Sequence, residues 1–158
     1  MSTLTRAAIL GLLQAQTSLE GIDLGGAHLE ALNLAGVNLR HANLWGANLR
    51  EANLKGADLS RANLRAANLS SATLSEARLS EADLSAARLA EVDLSGADLS
   101  QANLSGANLH KANLSGANLS RTILRGANLS EANLAGAELE QADLHQANLN
   151  GVRWQQFL

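Results

Sequence analysis

At 158 residues and a formal charge of −3, the chain is one domain with neither the cationic excess of a nucleic-acid binder nor a strongly acidic surface. It contains no cysteine, so no disulfide framework is encoded, and no proline, which suits a fold that uses every backbone donor. Hydrophobic residues make up 46% of the chain, yet no apolar run reaches membrane-spanning length, so no membrane partner is expected.

Residues 1–17, MSTLTRAAILGLLQAQT, stand apart from the rest. Leu4, Ala8, Ile9, Leu12 and Leu13 recur at helical spacing, and Ser2, Thr3 or Thr5 is available as an N-cap. This predicts a short amphipathic helix that covers the open end of the structure following it. A secretory signal fits less well. The apolar core Ala7 to Leu13 is short, a single Arg precedes it, and Gln14-Ala15-Gln16 is a poor cleavage site, so a cytoplasmic protein is expected.

From Leu19 to Leu149 a leucine returns every five residues, giving 27 consecutive centres that are all Leu. The residue two before each centre is small or apolar, as in Ala47, Val92 and Thr122. A period of five suits neither regular element. On a helix each Leu would advance by about 140° around the axis, and on a flat strand alternate leucines would face opposite sides. A backbone that turns by the same angle every five residues buries them all. Two inward positions flanking one outward residue then make a minimal strand, and the two residues after the centre make the corner. Stacked coils form a parallel β-helix with a dry bore of alternating Leu and Ala.

The motif A(D/N)LXX, as in Ala57-Asp58-Leu59-Ser60-Arg61 or Ala102-Asn103-Leu104-Ser105-Gly106, resembles the pentapeptide repeat proteins. The resemblance covers about residues 17–153. It implies a right-handed quadrilateral parallel β-helix with four pentapeptides per coil and about seven coils, an all-β solenoid behind a short N-terminal capping α-helix. The expected organisation is a capping helix over 1–17, the β-helix over 18–153, and a C-terminal cap or dimer contact over 154–158. Relatives are widespread in bacteria, especially cyanobacteria.

Within the repeat, residues 18–40 are the least regular, with Ile22, Leu32 and Val37 where Ala is usual, as suits a bore meeting a helix. From Ala42 onward Gly alternates with longer residues at the second corner position: Gly46, Glu51, Gly56, Arg61. Folded four pentapeptides to a coil, this puts Gly on two opposite faces. Gly corners are expected to take positive φ as type II turns, and the other corners to turn differently. Between Ala66 and Glu91 the rhythm fails, which reads as drift at solvent-facing positions or as a binding belt. In the tail, Trp154 takes a Leu position, and Trp154, Phe157 and Leu158 read either as a plug over the last coil or as the contact of a weak homodimer.

No chemistry is written on the repeat. The four histidines, His28, His41, His110 and His145, fall on different faces or distant coils, without metal-ligand spacing. Serines follow many centres, but none has a His and an acid placed as a triad. Asp58 and Asp98 lie two coils apart on one face, and Asx side chains before the centres are expected to bond nearby backbone or one another in ladders. No catalytic, cofactor or metal site is expected, and the chain is read as no enzyme.

Sorting charge onto faces gives no basic stripe, so direct nucleic-acid binding is not expected. Some members of the resembling family imitate DNA and inhibit or protect type II topoisomerases. That would require a continuous acidic surface, and here Arg65, Arg78, Arg88 and Arg121 interrupt the acidic columns. Laterally, Trp45 points outward one coil below Arg65, with Ile123 on the same face four coils beyond Trp45. These three are the candidate partner-binding residues, the alternative being a simple cation–π stack of Arg65 on Trp45. The expected function is a non-enzymatic scaffold or regulator that binds another protein, the alternative a DNA mimic aimed at a topoisomerase.

Overall fold

The computed structural model describes residues 4–155. Helix α1, Arg6–Gln14, is the one regular helix among them. Thr5 is its N-cap and accepts the Ala8 N–H through its hydroxyl at 3.2 Å. Ile9 is fully buried in the same cluster as Leu19, Leu24 and the leucines beyond, and Leu12 and Leu13 pack against that cluster.

From Asp23 to Arg153 the backbone forms single-residue parallel bridges, each linking a residue to the one twenty later, from Asp23↔Asn43 to Asn133↔Arg153. Twenty residues per coil means four pentapeptides, one per side of a quadrilateral. Each centre donates its N–H to the carbonyl before the next coil's centre, as Leu59 does to Arg78 at 2.7 Å. The residue before the centre donates the other way, as Asn63 does to Ala42 at 2.9 Å. The inner groups of the ladder are thereby satisfied without any conventional long strand.

The bore follows the sequence pattern. Leu39 to Leu129 are buried at every centre, and nearly every intervening Ala is buried as well. Thr122 is the one buried polar residue among those described. Its hydroxyl donates to the Leu99 carbonyl at 2.8 Å, so the substitution costs no unpaired group. Toward the C-terminal end Leu139 and Leu144 are only partly buried, and Leu149 is 36% exposed.

The corners correct one expectation. Every corner closes with an N–H from the inner residue to the preceding centre's carbonyl, as Ala62 to Leu59 at 3.0 Å. The second corner residue has positive φ whether or not it is glycine: Gly56 at 63°, Arg61 at 59°, Ala66 at 57°, Glu76 at 60°. The longer residues do not turn differently. A bore of constant section demands the same turn on all four sides, and the ladder holds it, since the Arg61 N–H still donates to Ser80 O at 2.9 Å. Glycine is the cheaper occupant of a left-handed position that other residues take at a cost of about 1–2 kcal/mol.

Leu104→Ala should therefore cost about 2–5 kcal/mol in urea unfolding, because a bore stacked on both sides does not collapse into the gap. Ser75→Ala, outward at a corner, should change stability by less than about 0.5 kcal/mol. Equal losses for the two would show the inward and outward assignment to be wrong.

Candidate functional site

The outer surface is built by three kinds of side chain. The Asn or Asp that precedes most centres accepts the N–H two residues on, as Asp58 Oδ1 does from Ser60 at 3.0 Å and Asn63 Oδ1 from Arg65 at 3.2 Å. The same side chains also stack. Asn63 Nδ2 donates to Asn43 Oδ1 at 3.1 Å, and Asn43 donates to Asp23 at 2.7 Å. Both expected uses of the Asx position are present. Serines after the centres clip onto this column, as Ser105 Oγ does to Asn103 Oδ1 at 2.6 Å.

Charged residues pair along the rod at the coil spacing. Arg61 holds Glu81 through two N–H donors at 3.0 and 3.1 Å, Lys55 meets Glu76 at 3.7 Å, and Lys111 meets Glu131 at 3.8 Å. Arg125 pairs with Asp143. Arg78 bridges between Asp58 and Asp98 and lies 3.8 Å from the Asp58 carboxylate, so these two acids do not form an acid pair. Sequence reading missed these pairs, although opposite charges twenty residues apart announce most of them once the coil length is known.

Three carboxyls are held below their ordinary values. At Glu30 the hydrogen bond with His28, at 3.1 Å, is the main cause. At Asp143 it is the bond from Arg125, aided by the His145 N–H. Asp58 is pushed up by burial, but bonds from Ser60 and the charges of Arg40 and Arg78 outweigh this. Among the described residues no three His, Asp or Glu side chains converge as metal ligands.

The structure places Trp45 and Arg65 on adjacent coils of one column. The Gly46 N–H donates to Arg65 O at 2.9 Å, and the Trp45 side chain is 55% exposed. Ile123 is 40% exposed in the neighbouring Asx column, bridged to Asn103 and Asp143 and about 19 Å from Asn43 at sheet spacing. The first two are brought together; the third is not. Trp154 is 46% exposed at the C-terminal end, while Phe157 and Leu158 lie outside the described residues. A cleft of about 560 Å³ lies between the end of α1 and the first coil, lined by Leu13, Thr17, Ala35 and Val37 among others.

The repeats match the family described as Pentapeptide repeats, in eight copies over residues 15–46, 47–85, 87–126 and 112–151. The chain belongs to the pentapeptide repeat family. Its fold is thus that family's right-handed quadrilateral β-helix. HetL, a pentapeptide repeat protein involved in heterocyst differentiation regulation from the cyanobacterium Nostoc sp. strain PCC 7120, is 31% identical, with 94% of this chain and 96% of that one covered and a TM-score of 0.46. A second pentapeptide repeat protein of Nostoc is also 31% identical, covering 98% and 99% of the two chains at a TM-score of 0.46. QnrB1, a plasmid-mediated fluoroquinolone resistance protein, is 23% identical over 82% of this chain and 70% of its own, at a TM-score of 0.54, and shares the fold alone. No curated protein matches the sequence.

The lowered carboxyls give this pentapeptide repeat protein a pH dependence of definite sign. A depressed carboxyl contributes stability above its ordinary value and loses it as pH falls through that value toward the folded one. Urea midpoints should hold level above pH 4.5 and decline as pH drops below the ordinary values of 4.5 for Glu30 and 3.8 for Asp58 and Asp143. The triple variant Glu30→Gln, Asp58→Asn, Asp143→Asn should show a shallower decline. An unchanged slope would remove these groups as its source.

Proposed function

We propose that this pentapeptide repeat protein is a non-enzymatic scaffold or regulator that binds another protein through the face carrying Trp45 and Arg65. The supporting observation is Trp45 itself: a 55%-exposed aromatic, the most exposed large apolar side chain among the described residues, on a surface made mostly of short Asx and Ser ladders and charges. A rigid aromatic beside an arginine is the residue pairing that anchors protein interfaces. Ile123, at its distance, belongs to the rim of such a contact. We propose that the rod works in the cytoplasm.

The alternative, DNA mimicry against a type II topoisomerase, has less support. The likeness to QnrB1 extends to the fold, and the Arg61–Glu81 and Arg78–Asp58 pairs put cations inside the acidic columns. For the C-terminal end, we propose a weak twofold homodimer through Trp154, Phe157 and Leu158, supported by the exposure of Trp154 and Leu149.

Affinity capture with the intact chain and with Trp45→Ala, Arg65→Ala tests the first reading. A partner retained by the intact chain and by a remote variant such as Ser75→Ala should be lost with the double variant. A partner held equally by all three moves the interface elsewhere. In a DNA gyrase supercoiling assay, the protein at low micromolar concentration should leave the rate unchanged. Inhibition there would promote the mimicry reading.

A further inference from the structure

In every inner coil, the centre's N–H and that of the second corner residue reach carbonyls of the following coil. Leu29 donates to Asn48 O at 2.8 Å and Ala31 to Arg50 O at 2.9 Å. The equivalent carbonyls of the first coil are those of His28 and Glu30, one coil earlier in the same column. Neither receives a backbone N–H from the described residues. Arg6 fills both: its guanidinium donates to His28 O at 3.3 Å and to Glu30 O at 2.9 Å, and Ile9 closes the bore beside it. One side chain of α1 thus replaces two backbone donors of a missing coil.

The opposite end presents the missing donors. On this column Leu129 donates to Asn148 O at 2.9 Å and Glu131 to Asn150 O at 2.8 Å. One coil on, the N–H groups of Leu149 and Gly151 meet no acceptor among the described residues. They lie in the column that began at His28. The two ends are also in phase. Leu149 falls 120 residues after Leu29, a whole number of twenty-residue coils.

We infer that the two ends of the rod are complementary, and that a second copy of this chain stacks head to tail when α1 is displaced. The Leu149 and Gly151 N–H groups of one copy then donate to the His28 and Glu30 carbonyls of the next, and the bore runs on through the junction. Arg6 and α1 are the guard against this, occupying two of the acceptors that the incoming copy needs and closing the bore. The contact is heterologous and does not close on itself, so its product is a filament of growing length. A twofold contact between C-terminal ends stops at a dimer.

The test uses the full chain carrying Arg6→Glu and Ile9→Asp, with Arg6→Ala alone as the milder variant. The Arg6 side chain is 43% exposed, so its loss leaves the bore intact. In sedimentation velocity the weight-average mass of the double variant should rise with concentration beyond twice the 16.5 kDa chain mass, and electron microscopy should show unbranched rods. Arg6→Ala should shift the same way to a smaller extent. Adding Leu149→Lys to the double variant should return it to the size of the intact chain. Intact chain mixed in should shorten the filaments, since its C-terminal end, once released from any weak twofold pairing, adds to an exposed first coil while its own guard stops further growth. Circular dichroism reports whether the coils stay folded. Arg6→Ala decides the matter if the double variant does not. A folded variant no larger than the intact chain, growth that stops at a dimer, or growth indifferent to Leu149→Lys would each overturn the inference.

Discussion

The structure depends on a single repeated bond, the N–H of a leucine centre to a carbonyl nineteen residues later, made at every centre from Leu19 to Leu134 and at 2.7–2.8 Å through most of the rod. Alone it contributes about 0.5–1.5 kcal/mol. Repeated on four sides, it sets the coil at twenty residues, and that length dictates the rest. It aligns Leu over Leu in the bore, Asn over Asn outside, and puts charges twenty residues apart within reach of one another. It also imposes a left-handed corner on Arg61, Ala66 and Glu76, which have no intrinsic taste for it.

How much of this is legible in the sequence follows from which features are periodic. Leu104 and Ala102 are readable as inward residues from the beat of five alone, because no other geometry buries all the centres. The coil length is not in that beat. It came from the family likeness, and the bridges Asp23↔Asn43 onward supply it directly. The corners misled because a glycine rule drawn from isolated turns was applied where neighbouring coils dictate the turn. Gly56 and Arg61 sit in nearly the same conformation.

Single residues were harder to read than the repeat. Trp45 stands out by composition, and its column partner Arg65 follows from counting by twenty. Arg6 does not stand out at all. It is one cation in a short helix, and its role emerges only once the orphan carbonyls of His28 and Glu30 are located. Ends of a solenoid are where the translational rule stops, so residues there are singular and a pattern-based reading passes over them.

The constant twenty-residue spacing has a kinetic consequence. Nearly every tertiary contact joins residues one coil apart, so the relative contact order is about 0.13, in the range of fast-folding mixed domains rather than slow all-β sandwiches. No loop longer than one coil has to close at any step, and folding spreads from any nucleated pair of coils to its neighbours. Opening runs the other way. The coil around Leu149 has a neighbour on one side among the described residues, while the first coil is clasped by α1. Amide protection should therefore fade in one direction along the rod, from a durable N-terminal half to a fraying C-terminal one.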